Sequence, residues 1–137
     1  MIKVGQIGVG YWGPNILRNL VSNPNTNVKS VADLSKGRGD FVKSLYPEVD
    51  FYLDPFDIIN NEDIDAIIIA TPVHTHFKLA MDCLKAGKHI LVEKPMAASV
   101  DEINQIELLS KEKGLVAMVG HTFLFNNAVR YVKNLIE

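Results

Sequence analysis

A chain of 137 residues is long enough for one domain with a buried core and too short for two of ordinary size. Hydrophobic residues make up 47% and charged residues 22%, which is the balance of a globular protein and excludes a disordered or fibrous chain. The net charge is -2 and no basic block occurs, so electrostatics give no reason to expect a nucleic acid or an anionic membrane as partner.

The apolar pattern alternates between strand and helix along the chain. Residues 2–7 read as a strand that enters Gly8-Val9-Gly10-Tyr11-Trp12-Gly13. A helix follows, with Ile16, Leu17, Leu20 and Val21 on one face and Pro14 in its first turn, where a missing N–H costs little. Asn23-Pro24-Asn25 stops it. Residues 28–32 form the second expected strand, which ends at Asp33. Ser35 is expected to cap a helix running to Leu45. Residues 51–53 are a short third strand, and Asp54-Pro55 reads as N-cap plus first residue of a short helix to about Asn60.

Residues 66–70 form a continuous apolar run with three isoleucines, the pattern of a central parallel strand covered on both faces. A helix with Phe77, Ala80, Met81 and Leu84 inward comes next, stopped by Gly87. Residues 89–92 are the fifth strand. Ser99 and Glu102 make a capping box for a helix using Ile103, Ile106 and Leu109, stopped by Gly114. Residues 115–119 are the sixth strand, and a last helix starts near Asn126 with Val129, Val132 and Ile136 on one face. This order implies an α/β domain: a doubly wound parallel sheet of the Rossmann type, with the first strand central and the fourth beside it across the switch point.

The residues that carry chemistry cluster at the carboxyl ends of those strands. Gly8 permits a tight turn, Gly10 lets backbone approach a pyrophosphate, and Gly13 lets helix and strand pack closely. The helix that follows offers free N–H groups and a positive dipole end to phosphates. Asp33 stands where a carboxylate hydrogen-bonds adenosine ribose hydroxyls; its other reading is a helix N-cap competing with Ser35. A 2′-phosphate there would meet like charge, at a cost of roughly 4 kcal/mol for a unit pair at ~4 Å and an effective dielectric of about 20. NAD is therefore favoured over NADP, although Lys36 and Arg38 follow closely.

Thr71-Pro72 ends the fourth strand beside the glycine turn, with His74 and His76 just beyond. His76 reads more readily as a local packing or capping residue than a catalytic one, and no neighbouring carboxylate or thiol completes a metal site. Glu93-Lys94-Pro95 ends the fifth strand, where a charged pair lies at the mouth of the sheet. Lys94 reads either as a substrate-binding or proton-transfer group or as one half of a surface ion pair worth ~0–1 kcal/mol. Gly120-His121 ends the sixth strand, and His121 is a candidate for lining the substrate pocket or a domain-boundary histidine. Cys83 reads as a buried inert thiol. A single cysteine without a visible signal peptide points to a reducing, cytoplasmic location, and no apolar run is long enough to span a bilayer.

Together, Gly8-Val9-Gly10-Tyr11-Trp12-Gly13, Ala70-Thr71-Pro72 with His76, Glu93-Lys94-Pro95 and Val119-Gly120-His121 resemble the Gfo/Idh/MocA family of glucose–fructose oxidoreductases, inositol dehydrogenases and rhizopine-catabolism proteins. The resemblance implies an NAD(P)-dependent dehydrogenase that moves hydride to or from a carbon of a sugar, cyclitol or nucleotide-sugar. It implies Lys94 as the catalytic residue, with Tyr11, Trp12, Thr71, Pro72, His76 and Glu93 on the cofactor side. The run from Gly120 to Asn126 is similar to a branch that includes nucleotide-sugar dehydrogenases, while Leu124 and Asn127 depart from the arginine and proline often found there. Residues 1–122 are then the dinucleotide-binding domain. Residues 123–137 are a connecting helix towards a substrate domain that this chain lacks, through whose sheet the family's oligomers mainly form. On that reading the chain alone binds cofactor without efficient turnover. A non-catalytic NAD-binding or sensing module and an S-adenosylmethionine methyltransferase are the competing classes. The segments around Thr71 and Glu93 argue against the methyltransferase.

Overall fold

The computed structural model describes residues 1–137. Its elements are β1 (Ile2–Ile7), α1 (Gly13–Ser22), β2 (Thr26–Ala32), α2 (Lys36–Leu45), β3 (Asp50–Tyr52), α3 (Phe56–Ile59), β4 (Ala66–Ile69), α4 (Val73–Lys85), β5 (His89–Val92), α5 (Val100–Lys113), β6 (Ala117–Val119), a 3-10 turn (Thr122–Phe125) and α6 (Asn127–Ile136). The strands form one parallel sheet in the order β3-β2-β1-β4-β5-β6. The chain winds outward in both directions from β1 and β4, so the switch point lies between them, as the element order predicts.

Apolar side chains cover both faces. Ile67 and Ile69 of β4 join Ile7, Leu84, Ile90 and Ile106 in one core layer. Ile68 points the other way, to Val4, Leu17, Val31 and Val42. Each such isoleucine contributes about 1.5–3 kcal/mol by leaving water. No helix is long and apolar enough to cross a membrane.

Several local details differ from the sequence pattern. β2 begins at Thr26, because Thr26 and Asn27 ladder with Ile2 and Lys3 although neither is apolar. The register between β1 and β2 skips Lys29: Val4 pairs with Val28, and Gly5 with Ser30. This bulge brings Val28 and Val31 into the same core layer. Ser35 is at the N-cap of α2, yet its hydroxyl makes no capping bond. Val21 and Ile103 lie at the margins of their apolar faces and are exposed.

The α5 cap forms, with the Glu102 side chain one residue off its expected partner, the Ser99 N–H. The Ser99 hydroxyl accepts the Glu102 N–H at 3.2 Å, the Glu102 carboxylate accepts the Ala98 N–H at 2.8 Å, and Gly114 ends the helix in the left-handed region at φ +65. Beyond β6 the character changes, and every residue from His121 to Glu137 is exposed. The apolar side of α6, with Val129, Val132, Leu135 and Ile136, rests on little besides the 3-10 turn.

Candidate cofactor-binding groove

The turn between β1 and α1 has its inner polar groups occupied and its outer ones open. The Gly8 N–H donates to Ala32 O at 2.8 Å, and the Val9 N–H donates to the Asp33 carboxylate at 2.9 Å. Gly8 and Gly13 carbonyls both accept from the side-chain amide of Gln6 at 2.9 Å. The N–H groups of Gly10, Tyr11 and Trp12 have no acceptor within the chain. They stand at the start of α1, where the helix dipole favours an anion.

The glycines are dictated by space. Gly8 has φ +95, and a Cβ there would lie 2.5 Å from Ala70 O. A Cβ on Gly13 would collide with the carbonyl oxygen of Gly8. A Cβ on Gly10 meets nothing within 4 Å, because it would project into open space on the ligand side of the turn. These open N–H groups beside a side-chain-free approach fit a pyrophosphate.

Two lobes of one groove meet over this turn. The first, about 470 Å³, lies over β2 and β4, between Asp33, Leu34, Leu53, Phe56, Thr75 and Lys78. The second, about 570 Å³, lies over β4, β5 and β6, between Tyr11, Trp12, Glu93, Lys94, Thr122 and Phe123. Gly10, Ala70, Thr71 and Pro72 line both.

Asp33 is half-buried, and both its carboxylate oxygens are engaged, one by Val9 N–H and the other by Ser35 N–H at 3.0 Å. Each oxygen retains a lone pair for a further donor. The side chain therefore also braces the approach to α2, but the N-cap of that helix is Ser35, so the N-cap reading of Asp33 is not what forms.

Thr75 donates its hydroxyl hydrogen to Pro72 O at 2.7 Å, so the 2.6 Å contact between the Thr71 and Thr75 hydroxyls has Thr71 as donor. The Thr71 oxygen is left as an acceptor. The Glu93 carboxylate lies against Gly120, whose Cβ position is 3.2 Å from Glu93 Oε1, and it accepts the Lys94 N–H at 3.2 Å. Lys94 is exposed, and its ammonium takes part in none of the chain's ion pairs, so the Glu93–Lys94 pairing reading is not what forms.

Two of the candidate residues do not line the groove, and for His76 this matches its packing reading. His76 does not face the groove. It is 1% exposed, with Nε2 2.7 Å from Thr71 O and Nδ1 2.8 Å from Pro95 O, so it ties the β4 loop to the β5 loop. His121 is exposed just past β6, while its neighbours Gly120, Thr122 and Phe123 line the second lobe. Gln6 is a candidate that only the structure reveals: in sequence it is a lone polar residue near the end of β1, and its lack of exposed surface is invisible before the fold is known.

The family described as the oxidoreductase family with an NAD-binding Rossmann fold matches residues 2–121. The chain belongs to this family, Gfo/Idh/MocA. Inositol 2-dehydrogenase 1 of Saccharopolyspora erythraea is 37% identical over 115 residues, 82% of this chain and 34% of that protein. The scyllo-inositol 2-dehydrogenase (NADP(+)) IolW of Bacillus subtilis is 31% identical over 98% of this chain and 38% of its own length. Among solved structures, scyllo-inositol dehydrogenase from Lactobacillus casei with bound NAD(H) and scyllo-inositol superposes with a TM-score of 0.89 at 25% identity, over 99% of this chain and 41% of that one. KijD10, a 3-ketoreductase from Actinomadura kijaniata in complex with NADP and TDP-benzene, superposes at 0.91 and 25% identity, over 98% and 42%. The chain thus spans about two fifths of the length of these Gfo/Idh/MocA proteins. It carries the family's NAD-binding Rossmann fold, and inositol dehydrogenases are among its relatives.

Proposed function

We propose that this Gfo/Idh/MocA domain binds NAD in preference to NADP and serves a dehydrogenase acting on a polyol such as a sugar, cyclitol or nucleotide-sugar. One observation carries the reading. Asp33 and Lys94 occupy the two lobes of a single groove that joins over the glycine turn. Open N–H groups at Gly10, Tyr11 and Trp12 would hold the pyrophosphate, and the Asp33 oxygens would take the adenosine ribose hydroxyls. The Asp33 carboxylate is held by two backbone N–H groups, which resists its swinging aside for a 2′-phosphate.

Bound nicotinamide dinucleotide supplies the hydride acceptor or donor. The chain supplies position and proton transfer. Thr71 and Glu93 flank the second lobe, and the Lys94 ammonium stands free at its mouth. On oxidation Lys94 Nζ, having first given its own extra proton to water, would take the hydroxyl proton of the substrate as a neutral amine, and on reduction the ammonium would return it. Tyr11 is 96% exposed and Phe123 71%, so the second lobe is open to water on this chain alone. Efficient turnover needs that water excluded, which supports cofactor binding without efficient catalysis by these residues by themselves. Residues 1–122 would form the cofactor domain and residues 123–137 the connection to the part that covers the groove. The buried, unbridged Cys83 supports a cytoplasmic location.

Calorimetric titration with NADH and NADPH tests the proposal. NADH should bind at least about tenfold more tightly, a difference of about 1.4 kcal/mol. Equal affinities, or tighter NADPH binding, would overturn the cofactor assignment. Rapid oxidation of a free sugar or inositol by the 137-residue chain would overturn the claim of an open, inefficient site.

A further inference from the structure

Gln6 lies one residue before the carboxyl end of β1 with 0% of its surface exposed. Its Nε2 donates one hydrogen to Gly8 O and the other to Gly13 O, both at 2.9 Å. These carbonyls mark the start of the glycine turn and the first residue of α1. One planar amide therefore spans the turn and uses both hydrogens doing so. Reversing the amide would set its oxygen against two carbonyl oxygens, so the hydrogen bonds themselves fix its orientation.

The other end of the group is unsatisfied. Gln6 Oε1 is buried with no hydrogen-bond partner. An unpaired buried acceptor destabilises the fold. An apolar residue of the same length would avoid that cost at this fully buried strand position. The two N–H bonds under the turn are what offset it. With the inner carbonyls held by Gln6, and Gly8 N–H and Val9 N–H held by Ala32 and Asp33, the backbone donors of the turn left open are those of Gly10, Tyr11, Trp12 and Gly13.

We propose that Gln6 is a positioning residue for the diphosphate of the cofactor. It clamps the two ends of the glycine turn so that the Gly10, Tyr11 and Trp12 N–H groups converge on an anion. Gln6 never touches the ligand. The proposal rests on the dinucleotide reading above, and it assigns the recognition of the diphosphate, as distinct from the nucleoside, to a residue one turn removed.

The test compares the wild-type chain with Gln6→Met and Gln6→Leu, using NADH, ADP and adenosine as probes. NADH and ADP should bind about tenfold more weakly to the variants, while adenosine, held in the Asp33 lobe, keeps its affinity. A merely structural role would weaken all three together. Unchanged NADH and ADP affinity, or equal loss for adenosine, overturns the proposal. Should both variants fail to fold, the wild-type chain still decides by NMR. The Gln6 side-chain amide protons should exchange slowly and shift with ADP but not adenosine, and fast exchange or no selective shift overturns it. Absence of NADH, NADPH and ADP binding by the wild-type chain would instead sink the dinucleotide reading and this proposal with it.

Discussion

The carboxylate of Asp33 accepts the backbone N–H of Val9 at 2.9 Å, which joins the end of β2 to the glycine turn that follows β1. The residue expected to recognise the ribose is thus also a structural member of the turn expected to hold the pyrophosphate. Its second oxygen, on the Ser35 N–H, ties the same side chain to the entry of α2.

Substitution at Asp33 should therefore affect affinity and discrimination separately. Asp33→Ala removes the acceptor for both N–H groups, and NADH affinity should fall by about tenfold or more. Asp33→Asn keeps one acceptor oxygen but removes the charge, and the preference for NADH over NADPH should narrow. Calorimetry with both cofactors reads the two effects. An unchanged NADH-to-NADPH ratio in Asp33→Asn would show that charge at this position does not discriminate.

His76 joins the loop after β4 to the loop after β5 through Thr71 O and Pro95 O. His76→Phe fills a similar volume and removes the ring N–H, leaving at least one of the two part-buried carbonyls without its donor. The chain should lose about 1–3 kcal/mol of unfolding free energy. Urea denaturation followed by circular dichroism measures this. A loss below about 0.5 kcal/mol would mean that water replaces the ring nitrogens without penalty.

At the opposite end of the sheet, Asp63 receives the ammonium groups of Lys3 and Lys29. Hydrogen bonds from Lys29 and Lys3 bring its carboxyl down from 3.8 to about 2. Between those values the folded chain holds the carboxylate while the unfolded chain holds a proton. Stability from this cluster is therefore complete above pH 3.8 and is lost as the pH falls towards about 2. Asp63→Asn should flatten that part of the curve of thermal midpoint against pH. Added salt should shrink the wild-type effect, since the group is exposed. Identical curves for wild type and variant below pH 4 would remove Asp63 from the acid response.

The sequence makes some of this arrangement legible because local chemistry enforces it. Gly8, Gly10 and Gly13 mark a turn that side chains would obstruct. Ser99 and Glu102 act within one helical turn, and the Ile67–Ile69 run declares a strand buried on both faces. What stays hidden depends on residues far apart in the chain. His76 finds Pro95 nineteen positions later, and nothing in the local pattern names that partner. Ser35 has the right type and position to cap α2, yet its hydroxyl stays unused there while Asp33 takes its N–H. Lys88 looks like a surface charge after a helix stop. Instead it is 7% exposed and donates to Asn61 O and Ile64 O, in front of β4.

The unmatched Lys29 acts at a distance. It is one extra residue in β2, so every later residue of that strand lies one step lower against β1 than an unbroken register would place it. Ile7 faces Ala32 as a result, and the acid that follows arrives level with Gly8. A strand step is about 3.3 Å, and each step reverses the side to which a side chain points. Were Lys29 taken into the ladder opposite Gly5, Asp33 would stand one step higher, level with Val9, and point to the other face of the sheet. By standing outside the ladder, a lysine at the foot of the strand keeps the carboxylate at its top level with the glycine turn.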